Sequence, residues 1–278
     1  MKASYMFYKL LKLYLLLWVV YVCASSRIHA SNVAVFEKQL APVFMGNHKT
    51  SLSLIIAHPD DEIMFFGPTL QQLDLLLPAD IRLNIVCLST GNAENLGTTR
   101  ERELRQAVNF LFANSARNME LFQLNYTDGM DVTWNADDIS KSVTSLVLSP
   151  QGSDREILLS FDGSGVSSHL NHISCHHAVE RMLQDNEKVH SAIFLDSHSR
   201  NPLLKYSFFI RSLSHIAMEK LSGRTNLGSI RLFNTYPQYL ALLATMTNAH
   251  QSQMAWFRYG WWFFSSFVFL NDLKIVSK

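Results

Sequence analysis

Ile55-Ile56-Ala57-His58-Pro59-Asp60-Asp61-Glu62 is the stretch on which the reading of this chain turns. The apolar run from Leu52 to Ala57 predicts a strand over 52–57, and it stops at a histidine, a proline and three consecutive carboxylates. A helix is expected to follow over 62–77. Acidic side chains at a strand-to-helix turn have an ordinary duty, capping the helix and answering its dipole for ~0.3–2 kcal/mol. One carboxylate suffices for that. Three beside a histidine repel one another unless a cation sits among them, and a bound metal ion supplies one.

A second cluster has the same form. Residues 157–172 read Ile-Leu-Leu-Ser-Phe-Asp-Gly-Ser-Gly-Val-Ser-Ser-His-Leu-Asn-His: an apolar run, a flexible loop, then His169 and His172. With a helix beginning near His169, the two histidines share a face. Two strand ends then present His58, Asp61 and His172 to one another. Such a facial His-His-Asp set holds a divalent metal and leaves positions open for water and substrate.

The rest of the chain alternates in the same way. Strands are predicted over 52–57, 82–89, 119–124, 156–161 and 190–196, with helices over 62–77, 99–113, 136–148 and 170–184. That alternation implies an α/β, Rossmann-like fold, a mostly parallel sheet with helices on both faces. Ligands bind beyond the carboxyl ends of the strands in such sheets, where both clusters fall. From 197 to 235 no pattern is clear beyond a helix near 207–221.

Ala57-His58-Pro59-Asp60-Asp61-Glu62 and Gly165-Val166-Ser167-Ser168-His169-Leu170-Asn171-His172 together resemble the PIG-L/LmbE-like metal-dependent de-N-acetylases. The resemblance extends through Thr90-Gly91-Asn92, Gly97-Thr98-Thr99-Arg100-Glu101-Arg102-Glu103-Leu104 and Ser252-Gln253-Met254-Ala255-Trp256-Phe257-Arg258. The last of these is similar to the eukaryotic branch, whose substrate is the glycolipid N-acetylglucosaminyl-phosphatidylinositol in GPI-anchor synthesis. The resemblance implies an amide hydrolase with His58, Asp61 and His172 as metal ligands; zinc is the expected metal, and a facial His-His-Asp site also holds iron(II). It makes Asp60 the general base and His169 the partner of the tetrahedral intermediate, as a cation facing the oxyanion. It also sends Arg100 to the substrate side of the pocket; the plainer account is a surface ion pair with Glu103, worth ~0.2–0.5 kcal/mol.

Other residues are open to two readings. Asn92 either binds sugar hydroxyls or makes the turn after the second strand, and Asp162 is placed to orient a ligand histidine. Glu62 reads as a first-turn carboxylate, and His176 as a packed side chain one turn beyond His172. Ser168 stands where the family commonly has glycine; should the position need positive φ, serine costs about 1 kcal/mol. Thr98 stands where glutamate is common.

The chain has 278 residues, 48% of them hydrophobic, enough for one sizeable α/β core. A net charge of +1 offers no broad basic face, so nucleic acid is not an expected partner. Cys23, Cys87 and Cys175 form no CxxC and no disulfide framework, which fits a reducing compartment. Residues 5–24 are the one stretch of membrane length, since twenty helical residues span ~30 Å. Lys9 and Lys12 would snorkel to the near interface. A signal peptide cleaved near Ala24-Ser25-Ser26 is the competing reading.

The expected organisation is a transmembrane anchor over 1–25, a tether over 26–50 and the de-N-acetylase domain over 51–278. Lys2, Lys9 and Lys12 favour a cytosolic N-terminus and a lumenal domain. The resemblance implies the reverse, a domain on the cytosolic face of the endoplasmic reticulum membrane. Asn125-Tyr126-Thr127 is a sequon that discriminates between them. Residues 256–270 are rich in Trp and Phe, either closing the core or forming an interfacial belt with Arg258 near phosphates. The rival functions are de-N-acetylation of another N-acetyl sugar or thiol conjugate, and a non-catalytic scaffold in the GPI pathway. The intact set of His58, Asp60, Asp61, His169 and His172 argues against the scaffold.

Overall fold

The computed structural model describes residues 2–148, 153–198, 200–222 and 230–278. It opens with helices α1 (Lys2–Cys23), α2 (Ser25–Val35) and, after a π-helical turn, α3 (Ala41–Phe44). The alternating region follows: β1 (Thr50–Ile56), α4 (Asp61–Met64), α5 (Gly67–Leu76), β2 (Arg82–Ser89), α6 (Gly97–Leu111), β3 (Met119–Tyr126) and α7 (Ala136–Val147). Next come β4 (Arg155–Phe161), α8 (Gly165–Ser168), α9 (Leu170–Asp185), β5 (Val189–Leu195), α10 (Pro202–Lys205) and α11 (Ile210–Ser222). The chain closes with β6 (Ile230–Phe233), α12 (Tyr236–Ala249), α13 (Trp256–Phe264) and β7 (Leu270–Ser277).

The seven strands form one sheet in the order β3-β2-β1-β4-β5-β7-β6. The first five run parallel, and β7 pairs antiparallel with both β5 and β6. Every residue of β1 is buried, the signature of a central strand covered on both faces. Helices α7 and α9 pack on each other and on the sheet, while α5, α6 and α12 form a second group. Strand order reverses at β1, because β2 and β4 flank it on either side. The crevice of such a sheet opens at that reversal, beyond the carboxyl ends of β1 and β4.

Three expectations are corrected. The helix over 62–77 is two helices, α4 and α5, because Pro68 cannot continue a helix from Met64 but suits the first turn of a new one. Residues 26–50 are not a tether. Ile28, Val35, Leu40 and Phe44 are buried, and Asn32 bonds both backbone groups of Phe233 on β6, at 2.8 Å and 2.9 Å. The Tyr21 hydroxyl donates to the Asn234 carbonyl at 2.6 Å, so the end of α1 is bound to the domain as well. The terminal aromatic segment divides. Phe267 to Leu270 enter the core and lead into β7, whereas α13 leaves most of its rings exposed.

Replacing Asn32 with alanine strands a buried N–H and a buried carbonyl of Phe233. The expected cost is about 2–5 kcal/mol, read from denaturant unfolding. A loss below about 0.5 kcal/mol would mean that the segment hangs free of the domain after all.

Candidate active site

Both sequence clusters arrive at the crevice. After β1 the chain turns sharply, held by Ser89, whose N–H and hydroxyl donate to the Ala57 carbonyl at 3.0 Å and 2.8 Å. Asp60 takes a φ of +108°, a conformation L residues rarely adopt, and this turn splays the three carboxylates in different directions.

Each carboxylate meets its own cationic or imidazole partner. Asp61 folds back, and its Oδ2 accepts the N–H groups of Ala57 and His58 at 3.1 Å and 2.8 Å. Its Oδ1 lies 3.4 Å from His172 Nε2, and Oδ2 lies 3.7 Å from His58 Nδ1. Glu62 is fully buried, accepts the Asp60 N–H at 3.0 Å, and pairs with His250, just past the end of α12, at 2.6 Å. Asp60 lies between two guanidiniums, Arg100 Nη2 at 3.5 Å from Oδ1 and Arg258 Nη1 at 3.3 Å from Oδ2. Only Asp61 faces the two imidazoles.

His58, Asp61 and His172 are all buried, and each offers a ligand atom within 4.8 Å of the others'. The ring of His172 stacks on Phe161 at 4.1 Å and 6°. Its Nδ1–H donates to the Gly165 carbonyl at 3.2 Å, which turns Nε2 inward, buried and without a hydrogen-bond partner. His58 Nε2 faces Asp128 Oδ1 at 3.0 Å and Asn171 Oδ1 at 2.9 Å, which leaves Nδ1 for the inner position. A histidine that donates one N–H to a carboxylate and turns its other nitrogen inward is the usual dress of a metal ligand. The orphaned His172 Nε2 and this donor set fit a divalent cation.

Electrostatics agree. Burial opposes the charge on Asp61, but the charges of His172 and His58 outweigh it and hold the carboxyl well below the usual range. Burial works to lower His58, yet the bond to Asp128 and the charges of Asp61 and Asp128 leave it raised. A metal ion would take the place of that proton. Asp128 is itself lowered, burial being overcome by His58 and then by Arg100.

His169 lies beside the set, its ring centre 4.7 Å from that of His58 and 4.8 Å from that of His172. Burial, with the charges of His58 and His172, lowers it to about 4. Its Nδ1 accepts the Asn171 N–H at 3.3 Å, which puts the ring proton on Nε2. The loop carrying it runs through positive φ at Gly165, Val166 and Ser168. Ser168, at +63°, therefore occupies a position that favours glycine.

Other expectations fare differently. Arg100 is buried, not on a surface, and donates to the carbonyls of Gly91 at 3.0 Å and Pro59 at 2.6 Å. It clamps the carboxylate turn, and a Cβ on Gly91 would come within 2.5 Å of its guanidinium. Glu103 binds the N–H and hydroxyl of Ser252 instead. Asn92 is exposed and its Oδ1 accepts the Gly97 N–H at 2.9 Å, so it makes the turn. Asp162 binds Ser197 and Ser164, and orients no ligand histidine. His176 faces the Phe161 carbonyl at 3.0 Å, away from the set. Arg258 is at Asp60, not out among phosphates.

Sequence reasoning missed Asp128, Asn171 as a partner of His58, and the inward reach of Arg258. Asp128 had a signal, for Thr127-Asp128-Gly129 follows a third parallel strand at the same edge of the sheet.

Residues 53–183 match the family described as PIG-L: GlcNAc-PI de-N-acetylase. The N-acetylglucosaminyl-phosphatidylinositol de-N-acetylase of Saccharomyces cerevisiae is 36% identical, over 99% of this chain and 96% of its own length. A probable enzyme of the same name from Schizosaccharomyces pombe is 30% identical over 81% of this chain and 86% of its own. Among solved structures, the N,N'-diacetylchitobiose deacetylase of Pyrococcus horikoshii superposes with a TM-score of 0.55 at 16% identity, over 83% of this chain and 85% of its own. That likeness is one of fold.

Asp61→Asn and His172→Ala should each leave the purified protein without stoichiometric metal by elemental analysis. Asp128→Asn should keep the fold and weaken metal affinity about 10–100-fold, because His58 loses its orienting partner. Wild-type metal content in Asp61→Asn would refute the ligand assignment.

Proposed function

The chain belongs to the PIG-L family of GlcNAc-PI de-N-acetylases, and from that premise we propose that it hydrolyses the N-acetyl group of N-acetylglucosaminyl-phosphatidylinositol to glucosaminyl-phosphatidylinositol and acetate. The observation that carries this reading is the convergence of His58, Asp61 and His172 beside Asp60 at the carboxyl ends of β1 and β4.

His58, Asp61 and His172 would hold the metal; zinc is the ion we assign. Bound there, it supplies a polarised carbonyl and a water acidic enough to deprotonate near neutral pH. The remaining work belongs to side chains. Asp60 Oδ2, which no hydrogen bond engages, is the oxygen placed to take the proton of the attacking water. A positioned base contributes ~10²–10⁴-fold. His169 Nε2–H is a donor for the oxyanion. Arg100 keeps the base in place by gripping Pro59, Gly91 and Asp60 at once.

The substrate is a lipid, and α1 is the element suited to hold the enzyme beside it. Tyr5–Cys23 is long and apolar enough to cross a membrane, with a mean hydropathy of 1.7. We assign the protein to the endoplasmic reticulum membrane as a single-pass protein with its domain on the cytosolic side. Asn125 is exposed, so the sequon would be open to glycosylation in the lumen.

The test is acetate release from the glycolipid. Activity should vanish with a chelator and return with a divalent ion, and Asp60→Asn should lose about 100-fold or more while retaining metal. Turnover indifferent to the chelator would overturn the reading. For the orientation, Asn125 should carry no glycan; a shift on glycosidase treatment would put the domain in the lumen.

A further inference from the structure

Helix α13 is an amphipathic element with nothing among the described residues on its outer side. Trp256 is 86% exposed, and Phe257, Tyr259, Phe263 and Phe264 are each about half exposed. Between residues 256 and 269 the only charged side chain is Arg258. That arginine points inward, touching Met64 Sδ and lying 3.3 Å from Asp60 Oδ2. A rim of Trp, Tyr and Phe without an acidic residue suits the interface of a bilayer.

The position of α1 supplies an independent reason. Of its apolar stretch, residues 5–13 stand free of the body, but Tyr14 packs on Phe208 and Phe209, and Trp18 on Phe209, Tyr236, Tyr239 and Phe269. Nine free helical residues reach only about 14 Å, roughly half of a hydrocarbon core. A span made by α1 therefore needs the bilayer to rise past Tyr14 and meet the body itself. Leu15, Leu16, Val19 and Val20 are exposed on the packed half of α1, as lipid contact at that depth requires. The surface beside this junction is α13: Phe208, which touches Tyr14, also packs edge-on against Phe264 at 4.9 Å.

We propose that α13 is a second membrane-contacting element, lying in the interface of the leaflet that α1 enters, with its aromatic face among lipids and Arg258 reaching to the catalytic carboxylate. The mouth of the site then sits at headgroup depth, one arginine side chain from the lipid surface, so a glycolipid headgroup enters without leaving its membrane. This rests on the reading of α1 as an anchor, and extends it to a surface 250 residues later in the chain.

The test uses the full chain in phospholipid nanodiscs, with Cys23→Ser to remove the exposed thiol; Cys87 and Cys175 are buried. Nitroxide labels are placed singly at Trp256→Cys, Phe263→Cys, Leu15→Cys and Gln251→Cys, all exposed positions. Power saturation then compares collision with oxygen, which concentrates in lipid, and with a water-soluble nickel chelate. The expected result is oxygen-rich, nickel-poor labels at 256, 263 and 15, with 251 open to nickel. Labels at 256 and 263 open to nickel, with 15 in lipid, would overturn the proposal and leave the anchor standing. Nickel access at 15 as well would remove the anchor and this proposal together, whatever the activity. Labels at 256 and 263 shielded from both reagents would mean that a protein covers α13, which also overturns it.

Discussion

The carboxylate of Asp61 is the point from which the site is built. It accepts two backbone N–H groups of its own turn and faces an imidazole from each of two strand ends. A buried carboxylate in that setting is stable only as an anion with positive charge beside it. The parallel pairing of β1 with β4 is what delivers His172 to it, and the reversal of strand order there opens the crevice in which a substrate can approach. Sheet topology and site chemistry are thus one constraint. A change in either strand's register would separate the two imidazoles.

The three adjacent acids are resolved by geometry and not by one shared cation. The +108° φ at Asp60 turns successive side chains outward to Arg100 and Arg258, inward to His58 and His172, and downward to His250. Two of those partners, His250 and Arg258, come from the C-terminal part of the chain. They bind it to the catalytic turn, and Glu62–His250 is wholly buried. Breaking such a pair by removing one partner typically costs ~3–5 kcal/mol. The C-terminal segment is part of the site's support as well as the lid on the core.

Much of the fold was legible because apolar runs of strand length alternate with helical periods, and periodicity reports burial directly. The convergence of His58, Asp61 and His172 was legible because strand ends are predictable and a parallel sheet gathers them on one edge. What escaped were choices of polar partner across long separations. Asp128 and Arg258 are ordinary loop and helix residues until the folded chain brings them to His58 and Asp60. Asn92 and Asp162 had the right type at the right edge, yet backbone N–H groups claimed them first. The tether was misjudged because α2 is short and mixed in composition, and its hold on β6 comes from Asn32, a polar side chain no apolar pattern would flag.

The central claim is that one cation is held by two imidazoles and a single carboxylate drawn from two strand ends. X-ray absorption at the metal edge of the loaded protein tests it without reference to turnover. The account predicts a shell of two imidazole nitrogens at about 2.0–2.1 Å with oxygen ligands for the remainder. A shell with fewer than two imidazoles, or with three, would contradict it.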